Sequence, residues 1–440
     1  MADSNRSSPE SIMPLSPQWL IARPSDRAGT TNVGADASLG GPGEELLEIT
    51  VADPVKQGDG VQAYVSYRVN TKTNLPNYRR KEFSVIRRFS DFLWLHERLT
   101  ETHRGVIIPP LPEKNVVEKF RFSADFIDMR RQALDMFINR VAAHPLLRQS
   151  SDLQLFLEAS EDLWSLETAR AHEANLLKKK PSDFMQLFRD VQAKVGSMVL
   201  GKDKAQSEVD EEYESLKSYV AALETHLAEA RKQAERLVKR QRDLGQALAD
   251  FGIAVLMLGD CEGGSLGHVF KELGKRSDAL SAASQKQAQE LTSKLEQPLR
   301  EYVRMILSIK HVMSDRQSAL SQWQQGTAEL ASKRVKLERL KQAQPPVRAE
   351  RIAEMDAEIE ECKKREEELK RAYEVLVETM HAEMVRFQQQ KTQDLATIMR
   401  NFALAQARLA DETAKVWQSL LPDVQNLRKP AVGGDGNTLA

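Results

Sequence analysis

The spacing of apolar residues changes character several times along this chain, and each change predicts a different kind of structure. Residues 1–44 show no period and are rich in Ser, Pro and Gly, which predicts a disordered tail. Inside it, Leu15 to Ile21 with Trp19 is a short apolar island, open to reading as a peptide ligand for a partner or as an incidental patch. Strand-forming runs follow. Leu46 to Val51 predicts a first strand, Val61 to Val69 with Tyr64 and Tyr67 a second, and Glu82 to Ile86 lies in a third. Gly58-Asp59-Gly60 and Leu75-Pro76-Asn77 mark the turns between them.

The period then becomes helical. Ser90-Asp91 suits a helix start, and Phe92, Leu95, Leu99 and the neighbouring Trp94 supply a buried face to about Thr102. Val106 to Pro112 must be extended, because successive prolines forbid helix. A second helix is predicted from about Ser123 to His144-Pro145, with Phe126, Ile127, Leu134, Phe137, Ile138 and Val141 at helical spacing, and a short third over Asp152 to Glu158. Three strands followed by helices predict a small α+β domain over 45–160.

Residues 161–205 read as a linker holding one strongly amphipathic helix. Lys178-Lys179-Lys180-Pro181 precedes Ser182, a natural N-cap, and Phe184, Leu187, Phe188, Val191, Val195, Met198 and Val199 fall on one face. From Val209 the apolar steps alternate four and three, through Tyr213, Leu216, Val220, Leu223 and Leu227. That is the seam of a coiled-coil-like helix. Gly259 to Gly264 breaks it. A second long helix follows, kinked by Pro298, and then a third from about Arg348 to Leu421, ended by Pro422, with a stutter after Phe387. The C-terminal half, 206–422, is therefore expected to be an all-α domain of three antiparallel helices, with a tail after it. Each helix is some fifty residues or more, or roughly 75 Å. Three such helices cannot cover their own seams, which predicts a partner chain.

Composition agrees with a modest globular domain joined to long charged helices: 41% hydrophobic, 29% charged and only 6% aromatic over 440 residues. A net charge of −1 gives no global pull toward nucleic acid, so any anion binding must come from local clusters. Cys261 and Cys362 stand apart and outside any ligand spacing, which excludes a disulfide framework or a cysteine metal site and suggests a reducing compartment. The expectation is no bilayer-spanning helix, no secretory signal and no myristoylation start at Met1-Ala2. There is no P-loop, GxGxxG after a strand, HExxH or GxSxG, and the eight histidines are scattered. An enzyme, a cofactor and a metal are not expected.

The candidate chemistry lies at Arg87-Arg88-Phe89-Ser90-Asp91-Phe92 and Pro109-Pro110-Leu111-Pro112-Glu113-Lys114. An arginine fork meets a phosphate bidentately, and a flat aromatic can lie against the apolar face of a sugar ring. Arg88 and Phe89 place both where a strand gives way to a helix. Stiff prolines hold Lys114 as a second cation, and Arg130 on the next helix can reach ring hydroxyls. The opposing reading is that the arginines only form surface ion pairs and Phe89 is core. Beyond this, Lys333, Arg334, Lys336, Arg339, Lys341, Arg348 and Arg351 concentrate positive charge where the second long helix gives way to the third. Such a tip suits an anionic bilayer, although each residue alone could be an ordinary solvated charge.

Val85 to Phe92, taken with Pro109-Pro110-Leu111-Pro112 and with Phe126 to Leu134, resembles the signature of a PX domain. With three long helices behind it, the chain from 45 to 425 resembles a PX-BAR sorting nexin of the sorting nexin 1 type. The loop Asn115 to Phe122 looks closest to plant members. The resemblance implies that Arg88 binds the 3-phosphate of phosphatidylinositol 3-phosphate and Phe89 stacks under the inositol ring, where many members carry Tyr. It implies Lys114 on the 1-phosphate and Arg130 on the 4- and 5-hydroxyls. Val116, Val117 and Phe120, beside Lys119, Arg121 and Phe122, would enter the lipid interface or pack on the domain. The face of Phe184, Leu187, Phe188 and Val191, with Lys178, Lys179 and Lys180 ahead of it, would lie in the membrane interface or on the long helices. The implied role is a peripheral adaptor on the cytoplasmic face of endosomes. It would pair as a homodimer or as a heterodimer with another PX-BAR sorting nexin, work beside the retromer core complex, and sort cargo through curved membrane. The rival reading is a coiled-coil scaffold or tether whose PX-like domain binds protein.

Overall fold

The computed structural model describes residue 17 and residues 46–59, 63–113, 122–177, 210–342 and 349–427. The chain forms two compact units. One holds residues 18–210 and 307–386, the other the remaining long-helix segments.

In the first unit, β1 (Leu47–Gln57), β2 (Tyr64–Thr73) and β3 (Glu82–Arg88) form an antiparallel sheet in that order. β1 runs on past the expected Val51, β2 is shifted along the chain from the expected Val61 to Val69, and β3 contains the expected Glu82 to Ile86. β1 passes through a bulge between Ala52 and Val55, where Asp53 takes φ 46 and pairs with Arg68 at 3.3 Å. β2 is prolonged to Thr73, whose hydroxyl donates to the Leu46 carbonyl at 2.7 Å. Ile49, Val51, Tyr67 and Val69 form the buried face of the sheet. They share a core with Phe92, Leu95 and Leu99 of α1 (Phe89–Thr102) and with Leu134, Phe137, Ile138 and Val141 of α2 (Ala124–Ala143). The Ser123 hydroxyl caps α2 by accepting from the Phe126 N–H, as its position predicted. After α3 (Ser151–Glu158) comes α4 (Glu161–Leu177), whose Trp164 meets Trp94 edge to face at 4.8 Å.

The other unit begins with a helical hairpin, α5 (Glu211–Glu262) and α6 (Gly264–Leu291), turned at Gly263 and Gly264 with φ 65 and 55. Gly259 faces Gly267 and Gly252 faces Gly274, so the two backbones come close enough to touch. A Cβ added at Gly267 would lie 2.6 Å from the Gly259 carbonyl oxygen. A π-helical turn, Thr292–Glu296, then leads into α7 (Gln297–Lys341). This turn is how the helix accommodates Pro298. The Gln297 N–H reaches back to the Thr292 carbonyl, widening the coil just before the ring would clash.

The last helix, α8 (Ala349–Leu427), corrects the expectation that Pro422 ends it, because Pro422 lies inside the helix. Arg276 of α6 holds this end, donating to the Ser419 carbonyl and the Asp423 carboxylate, each at 3.1 Å. One eighteen-residue window of α5 is apolar enough by length and composition to cross a bilayer, with 22% of it buried. The glycines that let α5 touch α6, and its exposed Phe251, Ile253 and Met257, account for that composition.

Candidate functional site

The alternation of β3 separates the two arginines. Arg87 points inward with Phe83 and Val85, while Arg88 points outward with Ser84 and Ile86. Arg87 is 1% exposed. Its guanidinium donates to the carbonyls of Phe156 (3.0 Å), Ala159 (2.7 Å) and Ile86 (2.9 Å) and lies 4.4 Å over the Trp164 ring. Burial pushes this group down to about 10, against the opposing pull of Asp91 and Glu161. Arg87 is thus a strut tying β3 to α3 and to the start of α4.

Arg88 faces solvent, with its side chain 56% exposed. Its own N–H is accepted by the Asp91 carboxylate at 2.8 Å, which fixes the turn from strand to helix. Its guanidinium stands 3.7 Å from Asp91 and 5.6 Å from the centre of the Tyr64 ring. Phe89 is half-buried against the core. Neither a pure surface pair nor a pure core residue describes this junction.

Arg130 completes the cluster. Its guanidinium lies 4.6 Å over Phe89 and 4.5 Å over Phe126, and donates to the Glu113 carbonyl at 3.1 Å. The sequence expectation placed Arg130 beside the same ligand as Arg88 and Phe89, and the structure brings Arg130 onto Phe89. The extended strap Val106 to Glu113 is thereby hooked to α2. Val106, Ile107 and Ile108 of that strap are buried.

Lys114, Val116, Val117 and Phe120 lie outside the described residues, as do Lys178, Lys179, Lys180, Phe184, Leu187, Phe188 and Val191. Phe122 lies beneath Lys56, whose ammonium is 5.0 Å from the ring centre. Of the basic residues near the end of α7, Arg334, Lys336 and Arg339 are exposed. Lys333 is instead half-buried and paired with Glu358 of α8 at 3.1 Å. Among the described residues no group of His, Cys, Asp and Glu is arranged to hold a metal. Cys261 is exposed and Cys362 half-buried.

Two family models match the chain, "PX domain" over residues 75–160 and "Vps5 C terminal like" over residues 185–423. A solved structure, "The cryo-EM structure of the SNX-BAR Mvp1 tetramer", has the same fold. Its TM-score is 0.64 at 19% identity, covering 85% of this chain and 99% of that one. Fold and family models together define a PX-BAR protein, a class that binds membranes peripherally and serves trafficking. Among curated proteins, sorting nexin 1 of Arabidopsis thaliana is 49% identical over 379 residues, 86% of this chain and 92% of that protein. Human sorting nexin-1 is 30% identical over 390 residues, 86% of this chain and 72% of that protein. The chain belongs to the sorting nexin family, and its type is that of the plant sorting nexin 1.

Proposed function

We propose that this chain is a non-enzymatic adaptor that docks on endosomal membranes by binding phosphatidylinositol 3-phosphate. Arg88, Phe89, Arg130 and Lys114 form its headgroup site, and its long helices dimerise to sense or bend the membrane for protein sorting and retrograde transport. The observation that carries this reading is the cluster of an outward Arg88, a half-buried Phe89 and an Arg130 held over it by the Glu113 carbonyl. Two forks flanking one aromatic suit a phosphorylated ring better than a peptide, because each fork can take two oxygens of one phosphate or a pair of hydroxyls. Dimerisation is supported by apolar surface in the long-helix unit, where Phe251, Ile253, Met257, Leu266 and Leu421 are all exposed. Two headgroup sites on one dimer, with the exposed cations of α7 beside the lipid, would convert weak single contacts into selective membrane binding. The chain would pair with itself or with another PX-BAR sorting nexin and act beside the retromer core complex on the cytoplasmic face.

The test is vesicle flotation with and without phosphatidylinositol 3-phosphate, for wild type and Arg88→Ala. Binding by wild type that requires the lipid and is lost in R88A supports the reading. Equal flotation in all four arms would remove it and leave the protein-binding scaffold.

A further inference from the structure

Within the headgroup cluster Arg130 is placed by two elements, helix α2 and the strap Val106 to Glu113, and both are fastened to one carboxylate on the long helix α8. Glu383 is 5% exposed. It accepts the Ile107 N–H at 3.0 Å, at the start of the strap. It also accepts from His144 Nε2, at 3.0 and 3.1 Å to its two oxygens. His144 follows the last residue of α2 and is 1% exposed. Its Nδ1 accepts the N–H groups of Leu146 (3.1 Å) and Leu147 (3.3 Å), so the ring proton facing Glu383 is on Nε2. Arg386 closes the arrangement with donations of 3.1 and 2.7 Å. Burial alone would raise this carboxyl. The hydrogen bonds from His144 and Arg386, with the charge of Arg386, outweigh it and bring the carboxyl down to about 2.

The strap and α2 meet again at their other ends, where Arg130 donates to the Glu113 carbonyl. Strap, α2 and Glu383 therefore form a closed frame with Arg130 and Phe89 on its far side. The strap cannot slide along α2 without breaking one of these bonds. Close approach is built in: Gly105, immediately before the strap, has φ +86, and a Cβ there would lie 3.3 Å from the Leu376 carbonyl oxygen and the Thr379 side chain of α8.

We propose that Glu383 is a positioning residue for the headgroup site: α8 sets the spacing between strap and α2, and thereby the placement of Arg130 over Phe89. This rests on the headgroup reading above. It adds that the PX site takes its affinity partly from the long helix. By linkage, headgroup binding then tightens the seat of the strap on α8 by the same factor.

The full-length chain is titrated calorimetrically with a soluble dibutanoyl phosphatidylinositol 3-phosphate, as wild type, R88A, E383A, E383D and E383Q. The short-chain lipid removes curvature and avidity from the reading. We expect R88A to abolish binding and E383A to weaken it about five- to tenfold, the scale of one ordinary net hydrogen bond. E383D, whose carboxylate is withdrawn by one methylene, should weaken it about two- to threefold on the same scale. Gln can still accept from both Ile107 and His144 through one oxygen. E383Q should therefore recover most of the affinity while losing thermal stability with its Arg386 pair. Wild-type affinity in both E383A and E383D overturns the proposal, and E383D alone decides it should E383A fail to fold. Affinity in E383Q as low as in E383A would overturn it too, by making the node merely structural. Failure of wild type to bind, or R88A binding like wild type, instead removes the headgroup reading itself.

Discussion

The sharpest consequence of the strand alternation at Arg87-Arg88 is that two adjacent arginines should fail in opposite ways. Arg87→Ala deletes three hydrogen bonds and leaves the carbonyls of Phe156 and Ala159 without their buried donor. An unpaired buried polar group costs about 1–3 kcal/mol, and the lost contact with the Trp164 face about 1–2 kcal/mol. Water entering the vacated space restores part of the bonding, and the cost of burying a guanidinium disappears. The net, two unpaired carbonyls and one lost ring contact less that relief, is about 3–5 kcal/mol. For a domain of this size each kcal/mol moves the midpoint by about 4–8 °C. R87A should therefore unfold the PX domain at least about 12 °C early. The assay is tryptophan fluorescence against temperature on the full chain, because Trp94 and Trp164 both sit in this core. Arg88→Ala removes a long 3.7 Å pair between the exposed Arg88 guanidinium and the buried Asp91, whose carboxylate keeps its bond to the residue 88 N–H, together with an outer contact to Tyr64; the loss is about 1 kcal/mol and the variant should melt within a few degrees of wild type. R87K should fall between, since an ammonium can neither lie flat on Trp164 nor reach three carbonyls at once. R87A melting like wild type, or R88A melting as low as R87A, would refute the assignment of strut and ligand.

Three further outcomes follow from the long helices. Lys391 is 7% exposed, donates to Tyr219 and Gln388, and is pushed down by burial to about 8. The unfolded chain therefore binds more protons between about 8 and 10.5, and stability should rise with pH across that window. Lys391→Met should stabilise the helical unit by about 1–3 kcal/mol at pH 7, with Tyr219 still bonded to Gln388 at 2.9 Å. Urea melts that show no gain at pH 7, or the same gain at pH 11, would contradict this. Gly267→Ala should destabilise the α5–α6 hairpin by about 1–3 kcal/mol, because its Cβ meets backbone. Gly326→Ala, whose Cβ would meet the Leu369 side chain at 3.1 Å and the Glu366 Cα at an ordinary 3.9 Å, should be neutral or better, and helicity melts of the pair separate crowding from propensity. Glu383 is held near 2 against an ordinary 4.5, so its contribution is full above about 4.5 and fades as pH falls toward 2. The stability gap between wild type and E383Q should narrow over that acid range, and a gap unchanged from pH 7 to 2 would be the contrary result.

Most elements were legible because their signals are local. The proline strap, the Ser123 cap, the glycine turn at Gly263 and the 3.5 spacing of the long helices each need only a short window of chain. Arg88, Phe89 and Arg130 were legible through residue type and motif. The division between Arg87 and Arg88 was available too: extending the period-two pattern from Phe83 and Val85 points Arg87 inward. What was hidden depends on distant partners. Pro422 continues a helix because Arg276, far away in sequence, holds the neighbouring turn. Pro298 is absorbed by a π turn, which no propensity foretells. Glu383 lies on a charged helix among many glutamates, and its partners Ile107 and His144 are 276 and 239 residues away.

These distant partners explain how a site of only a few residues can hold its geometry. Arg88 and Arg130 come from different elements, and long charged side chains at a surface have many alternative rotamers. Neither is placed by its own packing alone. Asp91 fixes the backbone under Arg88, and Arg87 pins the strand beside it to α3. The Glu113 carbonyl orients Arg130, and Glu383 fixes the strap that brings Glu113 there. Each cation of the proposed site is thus supported by a buried charged residue that bonds to backbone, Arg87 beside Arg88 and, through the strap, Glu383 behind Arg130, the latter braced by His144 and Arg386 as well. Backbone N–H and carbonyl groups of packed elements move little, so they transmit position where a surface ion pair would transmit only charge. The same logic predicts where affinity can be lost without touching the site: at Arg87 by unfolding the domain, and at Glu383 by letting a folded domain lose its spacing.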